Sequence, residues 1–431
     1  MKILLSGGGT AGHVNPALAI ADWFRENVPD AEILFVGTAH GIENKLTEKA
    51  GYPIAHIEMT GLSRKNPFAN VKTAYYVLTA PHAAKKLLLR EQPDLVIGTG
   101  GYVCWPLLST AAKKGIPTAL HESNAIPGKA VRMLAPYVDR IYVNFASAGD
   151  RLAENERTAR RLRSRPGAAL RDKIAVVGNP VRAIPASAVP SALSAPTASS
   201  APSASSATSA SSAPSASSAP SALSVAALRG SLSIPRTAKK ILLSFGGSLG
   251  SQAINDAVLG LMESYSALHP DLYHIHVTGR AGYAATKAAL EAKGLADKPN
   301  LRLCEYLYDM PCYERLASAV ICRSGAMTVT EMALLGKPCI LIPSPNVVEN
   351  HQYENARRLA DADAAVLIEE KDLTPSLLQK RVEEVLDDRR ASALSHNIRP
   401  FARENAAELI GRDLGELLKA KQTGKSHEKT K

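Results

Sequence analysis

Two stretches of this chain open in the same way. Lys2–Ser6 reads as a short apolar strand that runs into the glycine-rich turn Gly7–Gly12 and then a helical pattern over Pro16–Glu26; Lys240–Ser244, Gly246–Gly250 and Gln252–Met262 repeat that order. A strand that passes through glycines straight into a helix is the opening of a parallel βα unit, because glycine lets the backbone turn tightly at the strand end. Further apolar runs alternate with helical stretches: Ile33–Val36, Leu95–Gly98, Thr118–Leu120, Ile141–Val143 and Ile174–Val177, then Ile275–Val277, Ala319–Cys322 and Ile340–Ile342. The pattern predicts an α/β chain with two doubly wound parallel sheets, ligands lying at the carboxyl ends of the strands.

Between the two openings, residues 185–224 are almost wholly Ala, Ser and Pro, with tandem hexads beginning at Ala195, Ala201, Ala207, Ala213 and Ala219. Such a segment cannot bury a core and predicts a flexible tether; it carries no apolar ladder on which a solenoid could stack. The expected organisation is a domain over 1–182, a low-complexity linker over 183–225, a second domain over 226–418 and a charged, fraying tail over 419–431. With 431 residues, 45% of them hydrophobic, there is material for two cores. No apolar run approaches the ~18 residues of a membrane span, and the one at the N-terminus is too short for a signal core, so the chain is expected to be soluble and unexported. Cys104, Cys304, Cys312, Cys322 and Cys339 are scattered and never spaced as CxxC, which suggests neither disulfides nor zinc and favours a reducing compartment.

The formal charge of +11 is concentrated in residues 1–182, with 24 Lys and Arg against 15 Asp and Glu. That excess suits an anionic partner or serves solubility. Residues 61–90 place Phe68, Val71, Tyr75 and Leu78 at helical spacing among Arg64, Lys65, Lys72, Lys85 and Lys86, and a basic run spans Arg157–Arg165. Together they point to an anionic phospholipid surface, although a stripe of this kind also serves as core. Nucleic acid is not expected, since aromatic residues make up 5% and no binding module is present.

Three glycine clusters follow strands. In Gly7-Gly8-Gly9-Thr10-Ala11-Gly12-His13 the next helix is announced by Asn15 as N-cap and Pro16 at N1, and its end offers a phosphate seat. The GxGxxG spacing alone is a weak dinucleotide signal, and the second strand runs into Thr38-Ala39-His40 without an acid for a ribose. The others are Gly98–Gly101 and Gly246–Gly250; taken together, the three suggest diphosphate groups on both sides of a cleft. Cys322–Glu331 leads from a strand into a helix ending near Gly336, a further anion seat, with Glu331 able to accept both hydroxyls of a ribose or simply to complement the helix dipole. Asn350–Asn355 supplies polar side chains suited to sugar hydroxyls or to capping.

In order and spacing, GGGTAGHVNPALAIA, GTGGYV, HESNAIPGKA, GNPVR, FGGSLGSQAIN, CRSGAMTVTE and HQYENA resemble the MurG family of bacterial glycosyltransferases, across about 1–182 and 226–415. The resemblance implies a GT-B fold, two Rossmann-like domains facing a cleft. It implies inverting transfer of N-acetylglucosamine from UDP-N-acetylglucosamine to the 4-hydroxyl of the N-acetylmuramyl moiety of undecaprenyl-linked lipid I, giving lipid II. By the same resemblance, Thr10, Ala11, Gly12, Asn124, Arg182, Ser248, Leu307, Ala326, Met327, Thr328, Val329, Thr330, Glu331 and Gln352 meet the donor. The first two glycine loops then hold the acceptor diphosphate, Glu331 the ribose, the backbone near Leu307 the uracil and Gln352 the sugar. Ala11 departs from the family's more usual glycine, and its methyl could crowd a ligand.

Inversion needs a base at the acceptor hydroxyl and charge stabilisation at the leaving diphosphate. His13 is the leading base and Glu122 the second candidate, which could instead orient acceptor or base; amides near Ser248 and Ser324–Thr328 suit the leaving group. No DxD-like pair is placed for a metal, and no cofactor is expected. The implied setting is peripheral, at the cytoplasmic face of the inner membrane, with cell-wall synthesis proteins as partners. The alternatives are a related enzyme using another UDP-sugar or epimerising it, and a non-catalytic nucleotide-sugar-binding regulator.

Overall fold

The computed structural model of the protein describes residues 1–61, 69–154, 170–182, 222–247 and 250–428. Arg64, Lys65, Phe68, the run Arg157–Arg165, the expected tether up to residue 221 and Ser248 lie outside the described residues.

The first sheet contains β1 (Lys2–Ser6), β2 (Glu32–Gly37), β3 (Ile54–His56), β4 (Leu95–Gly98), β5 (Thr118–Glu122), β6 (Arg140–Val143) and β7 (Ile174–Val176) in the order β3-β2-β1-β4-β5-β6-β7. Its paired strands are parallel, with Ile3 opposite both Ile33 and Leu95, and Glu122 opposite Val143. The second contains β8 (Lys240–Phe245), β9 (Leu272–Val277), β10 (Leu301–Cys304), β11 (Ala319–Cys322), β12 (Cys339–Leu341) and β13 (Val366–Leu367), ordered β10-β9-β8-β11-β12-β13. In each sheet the order reverses beside its first strand, at β1/β4 and at β8/β11. Such a reversal is the topological switch point of a doubly wound fold.

The helices of the first sheet are α1 (Ala11–Asn27), α2 (Glu43–Lys49), α3 (Ala69–Glu91), α4 (Cys104–Lys113), α5 (Lys129–Leu134) and α6 (Ala146–Glu154). After them come α7 (Ala222–Ser231), α8 (Gln252–Ser264), α9 (Arg280–Ala292), α10 (Met310–Leu316), α11 (Ala326–Leu335), α12 (His351–Asp361), α13 (Pro375–Leu386), α14 (Asp388–Ile398) and α15 (Ala406–Glu428). By contacts the chain separates into two compact units: Met1–Ala183 with Ile321–Leu373 and Glu383–Lys431, and Ile184–Val320 with Thr374–Val382.

The apolar strands are buried on both faces, yet they still obey a period of two. Leu4, Val36, Val96, Leu120 and Ile141 enter the cluster that also holds Leu87, Leu88, Leu107 and Leu108 of α3 and α4. Ile3, Leu5, Phe35, Ile97 and Tyr142 enter the opposite one, with Phe24 of α1 and Ile410, Leu414 and Leu417 of α15. Each such side chain contributes roughly 1.5–3 kcal/mol on burial, so the two layers fix the position of every strand end. The last helix therefore belongs to the packing of the first sheet, and α15 runs on through Glu428, into the segment expected to fray.

One boundary moves for a definite reason. The first helix does not start at Asn15 and Pro16; it starts at Ala11, with extended Thr10 as N-cap and Pro16 inside it. His13 and Val14 both bond back to the Thr10 carbonyl, so the first turn is already wound before the proline arrives.

Candidate active site

The first two glycine clusters meet at the β1/β4 switch point. Gly8 N–H donates to the Gly100 carbonyl at 3.2 Å, and Thr99 Oγ1 donates to the His13 carbonyl at 2.6 Å. Gly101 is left-handed at φ +92°, and a Cβ there would lie 2.4 Å from the Gly8 oxygen. No other residue type allows the two loops to approach so closely.

This contact orients His13. Its Nδ1 lies 2.9 Å from the Gly8 carbonyl and 3.3 Å from Thr10 Oγ1. A carbonyl oxygen can only accept, so Nδ1 carries the proton and Nε2 keeps its lone pair. Among the described residues, no hydrogen bond reaches Nε2. Burial lowers the His13 pKa below the ordinary imidazole value, against the opposing influence of the Gly8 hydrogen bond and the Glu43 charge. The ring is thus neutral at pH 7, with its lone pair on Nε2.

Glu43, at the start of α2, is the residue that sequence reasoning missed. It is buried, and its carboxylate accepts from Gly9 N at 3.2 Å, Thr38 N at 2.9 Å and Thr38 Oγ1 at 2.9 Å. Burial alone would raise its pKa; those donors outweigh it and bring the carboxyl below its usual range. An acid does follow the second strand, but its oxygens are spent on holding the first glycine loop. The one sequence signal was a carboxylate shortly after β2, indistinguishable there from a solvated helix start.

Glu122 ends β5 as a buried carboxylate. Oε1 accepts from Asn124 N at 2.9 Å and Asn124 Nδ2 at 3.1 Å, and Oε2 accepts from Gly128 N at 2.8 Å. Burial prevails over these bonds and holds its pKa above the usual carboxylate value. The geometry gives it the task of shaping the Ser123–Gly128 loop. Asn355 of α12 continues that support: its Oδ1 accepts from Ala125 N at 2.9 Å, and its Nδ2 donates to Ser324 O at 3.1 Å and Asn124 Oδ1 at 3.3 Å. Four residues earlier, one turn along the same helix face, His351 donates from Nδ1 to the Val348 carbonyl at 2.8 Å. Burial lowers the pKa of His351, against the Val348 hydrogen bond. The Asn355 bonds bring the loop that Glu122 shapes and α12 into one neighbourhood.

The remaining expected residues divide by exposure. Thr10 is exposed and Ala11 and Gly12 are half-buried at the start of α1. In the first turns of α11, Ala326, Met327, Val329 and Thr330 are buried, whereas Thr328 and Glu331 are partly exposed. Thr330 Oγ1 is engaged with Asn179 Nδ2 at 2.8 Å and the Ala326 carbonyl at 2.9 Å, so its side chain faces inward. Gln352 accepts from Ser344 N at 2.9 Å through Oε1, leaving its amide N–H groups to point elsewhere. Arg182 donates from Nε to Asp22 Oδ2 of α1 at 2.6 Å. Leu307 belongs to the other compact unit, its side chain buried between exposed Tyr306 and Tyr308. Among the described residues, no group of three or more His, Cys, Asp or Glu could hold a metal ion.

The chain belongs to glycosyltransferase family 28. Residues 3–143 match the Glycosyltransferase family 28 N-terminal domain and residues 241–410 the Glycosyltransferase family 28 C-terminal domain. More particularly, it is 34% identical over 427 residues to the UDP-N-acetylglucosamine--N-acetylmuramyl-(pentapeptide) pyrophosphoryl-undecaprenol N-acetylglucosamine transferase of Acetivibrio thermocellus, covering 98% of this chain and 100% of that protein. The transferase of the same name from Bacillus licheniformis is 34% identical over 392 residues, 90% of each chain. Among solved structures, Acinetobacter baumannii MurG aligns with a TM-score of 0.66 at 23% identity over 96% of this chain and 99% of that one. The UDP-N-acetylglucosamine 2-epimerase of Neisseria meningitidis bound to UDP-N-acetylglucosamine aligns at 0.56 and 13%, over 96% and 100%. Likenesses at these identities speak for the fold, which is GT-B, with two Rossmann-like parallel sheets.

Proposed function

We propose that this chain is an inverting hexosyltransferase that moves N-acetylglucosamine from UDP-N-acetylglucosamine to the 4-hydroxyl of the N-acetylmuramyl group of undecaprenyl-linked lipid I, forming lipid II. The observation that carries the reading is the end-to-end likeness to transferases of that name, 34% over 98% of the chain. Residues 1–182 act as the acceptor domain and 226–418 as the donor domain.

In the reaction, the acceptor hydroxyl attacks the anomeric carbon opposite the departing UDP, and its proton passes to His13 Nε2 as the new C–O bond forms. His13 suits this role because Nδ1 is already occupied by the Gly8 carbonyl at 2.9 Å. Glu122, spent on Asn124 and Gly128, positions the loop rather than accepting the proton. The amides opening α11, with those near Ser248, receive the charge that gathers on the leaving diphosphate. Glu331 takes the ribose, Gln352 the sugar, the backbone near Leu307 the uracil, and the first two glycine loops the acceptor diphosphate. Thr10, Ala11, Gly12, Asn124 and Thr328 complete the contacts, Ala326, Met327, Val329 and Thr330 through backbone. Arg182 must leave Asp22 to join them.

The lipid acceptor requires a membrane surface, and α3 suits one. Val71, Tyr75 and Leu78 are 71%, 61% and 80% exposed, and Lys72 sits over the Tyr76 ring at 5.5 Å. An exposed apolar stripe with lysines favours an anionic phospholipid face. Among the described residues, no helix is long and apolar enough to cross a membrane. We place the enzyme peripherally on the cytoplasmic leaflet, where cell-wall synthesis proteins would meet it.

The test is mass spectrometry of lipid I incubated with UDP-N-acetylglucosamine and this protein. The expected product carries one added N-acetylhexosamine; its absence, with UDP release independent of acceptor, would reject the assignment.

A further inference from the structure

The Gly8–Gly9 peptide is held from both of its edges. Its carbonyl accepts from His13 Nδ1 at 2.9 Å, and its N–H, carried by Gly9, donates to Glu43 Oε2 at 3.2 Å. In a trans peptide these two bonds point in opposite directions, so the carboxylate of α2 and the imidazole of α1 lie on opposite edges of one flat amide. The peptide joins the two side chains.

The carboxylate has little freedom of its own. Its Oε1 accepts from Thr38 N and Thr38 Oγ1, each at 2.9 Å, which aims Oε2 at Gly9. Glycines wall it in: a Cβ on Gly37 would lie 2.5 Å from Glu43 Cγ, and one on Gly41 would lie 2.1 Å from the carboxyl carbon and both oxygens. On the far side, Gly8 N–H is fixed to the Gly100 carbonyl at 3.2 Å.

Two consecutive glycines leave the amide between them two orientations, because neither residue has a Cβ to obstruct a half-turn. For the ring these are opposites. As observed, a carbonyl faces Nδ1, which carries the proton and leaves the lone pair on Nε2. Turned over, the Gly9 N–H would face Nδ1, occupy its lone pair and send the proton to Nε2, where the ring could no longer accept one. Thr10 Oγ1, 3.3 Å from Nδ1, is a hydroxyl that serves either form and does not decide between them. Glu43 decides, because the same half-turn would aim the Gly8 carbonyl at its carboxylate, oxygen against oxygen. Its donors hold that carboxyl below the usual range against the effect of burial, so the opposing charge is present at neutral pH.

We propose that Glu43 is a positioning residue for the transfer: by holding the Gly9 N–H it fixes the Gly8–Gly9 peptide, and through that peptide the Nδ1–H form of His13, whose Nε2 receives the acceptor proton. The inference rests on the reading of His13 as the base. No proton passes along the bridge. The hydroxyl proton stops at Nε2, the resulting imidazolium keeps Nδ1–H on the Gly8 carbonyl, and Gly9 keeps its own hydrogen. The Glu43 charge beyond the peptide offsets the new positive one.

The experiment compares the full-length protein with E43Q and T38V by steady-state kinetics with UDP-N-acetylglucosamine and lipid I, and by nitrogen–proton correlation spectra of the histidine rings. The His13 signals are those absent from H13Q. The parent should show a neutral His13 protonated at Nδ1. In E43Q one amide oxygen faces two sets of donors and the charge that opposes the half-turn is gone. Its kcat should fall about tenfold, the worth of one charge-assisted hydrogen bond, the donor KM should stay within about twofold, and a ring protonated at Nε2 should appear. Because the Glu43 charge raises the His13 pKa, its loss should also move the titration of that ring to lower pH. Charge on His13 bears on His351 of α12 as well, which neither variant touches. T38V removes one bond from the same carboxylate and leaves Gly9 its acceptor, so it should lose stability yet keep the parent's kcat, ring form and titration. A Glu43 that only braced the loop would make the two variants alike. Unchanged kcat in E43Q, a ring there still protonated only at Nδ1, or an equal loss of kcat in T38V overturns the proposal. Should E43Q not fold, E43D withdraws the carboxylate from Gly9 by one methylene; a lowered kcat with an Nε2-protonated ring supports the proposal, and parent values overturn it. An H13Q protein that turns over like the parent would overturn the base reading itself, which keeps the two failures distinct.

Discussion

The role proposed for His13 as base depends on what occupies its other nitrogen, and that makes two measurements informative. H13Q should lower kcat by roughly 10²–10⁴ with the fold intact, the usual worth of a positioned base. The pH profile of kcat/KM should also place its acidic limb below the ordinary imidazole pKa, because burial lowers that of His13 and the base works only when deprotonated. A limb at or above pH ~6.5 would move the role to another group. Glu43 supports the same loop from behind. In E43Q one acceptor oxygen becomes an N–H₂ facing either Gly9 N–H or the Thr38 donors. Leaving a buried donor unpaired costs about 1–3 kcal/mol, so urea melts should fall by that amount. The fall should shrink with acid, since a carboxyl with a lowered folded pKa stabilises above its unfolded pKa and stops doing so as pH drops through the folded one. The candidate base was legible in sequence because GGGTAGH is a local pattern. Glu43 and Asn355 were not, because their partners lie 34 and 231 residues away and only packing brings them together.

At the scale of elements, the buried strands were legible because apolar runs such as Lys2–Ser6 and Leu95–Gly98 have few other uses. β3, β10 and β13 were not: they are edge strands of only two to four residues, too short for a strand period to show. The helix at Ala11 was misplaced because Asn-Pro is a strong start signal, and here the interlocked loops override it by winding the turn earlier. The strands also carry a cost that can be measured. Burial pushes His121 of β5 and His276 of β9 down to about 4, and His274 well below the usual imidazole range. The unfolded chain takes up protons on these rings below pH ~6.5 while the folded chain does not, so their stabilisation is full above that pH and is lost as pH falls toward 4. At pH 5 the loss is about 2 kcal/mol apiece for His121 and His276. Urea melts at pH 7.5 and 5 should differ by several kcal/mol, and equal stability at both would contradict the neutral-histidine assignment.

One compact unit closes on itself through the last helix. Tyr142 donates to Asp413 at 2.5 Å, Arg140 pairs with the same carboxylate at 3.0 Å, and Lys421 pairs with Asp139 at 2.9 Å, so α15 is tied to β6. With that compact unit built from Met1–Ala183, Ile321–Leu373 and Glu383–Lys431, its connections do not depend on the Ala/Ser/Pro stretch. α7 begins at Ala222, within the last residues of the stretch, whose composition offers neither charge nor aromatic surface for a ligand. Deleting 195–221 should therefore leave kcat and both KM values within about twofold, since changing the length of a connecting segment alters closure entropy only logarithmically. The removal also spares every residue assigned to donor or acceptor. A large fall in turnover with an unchanged melt would give the hexads a direct part in catalysis. A lowered melt with unchanged turnover per folded molecule would give them a part in folding alone.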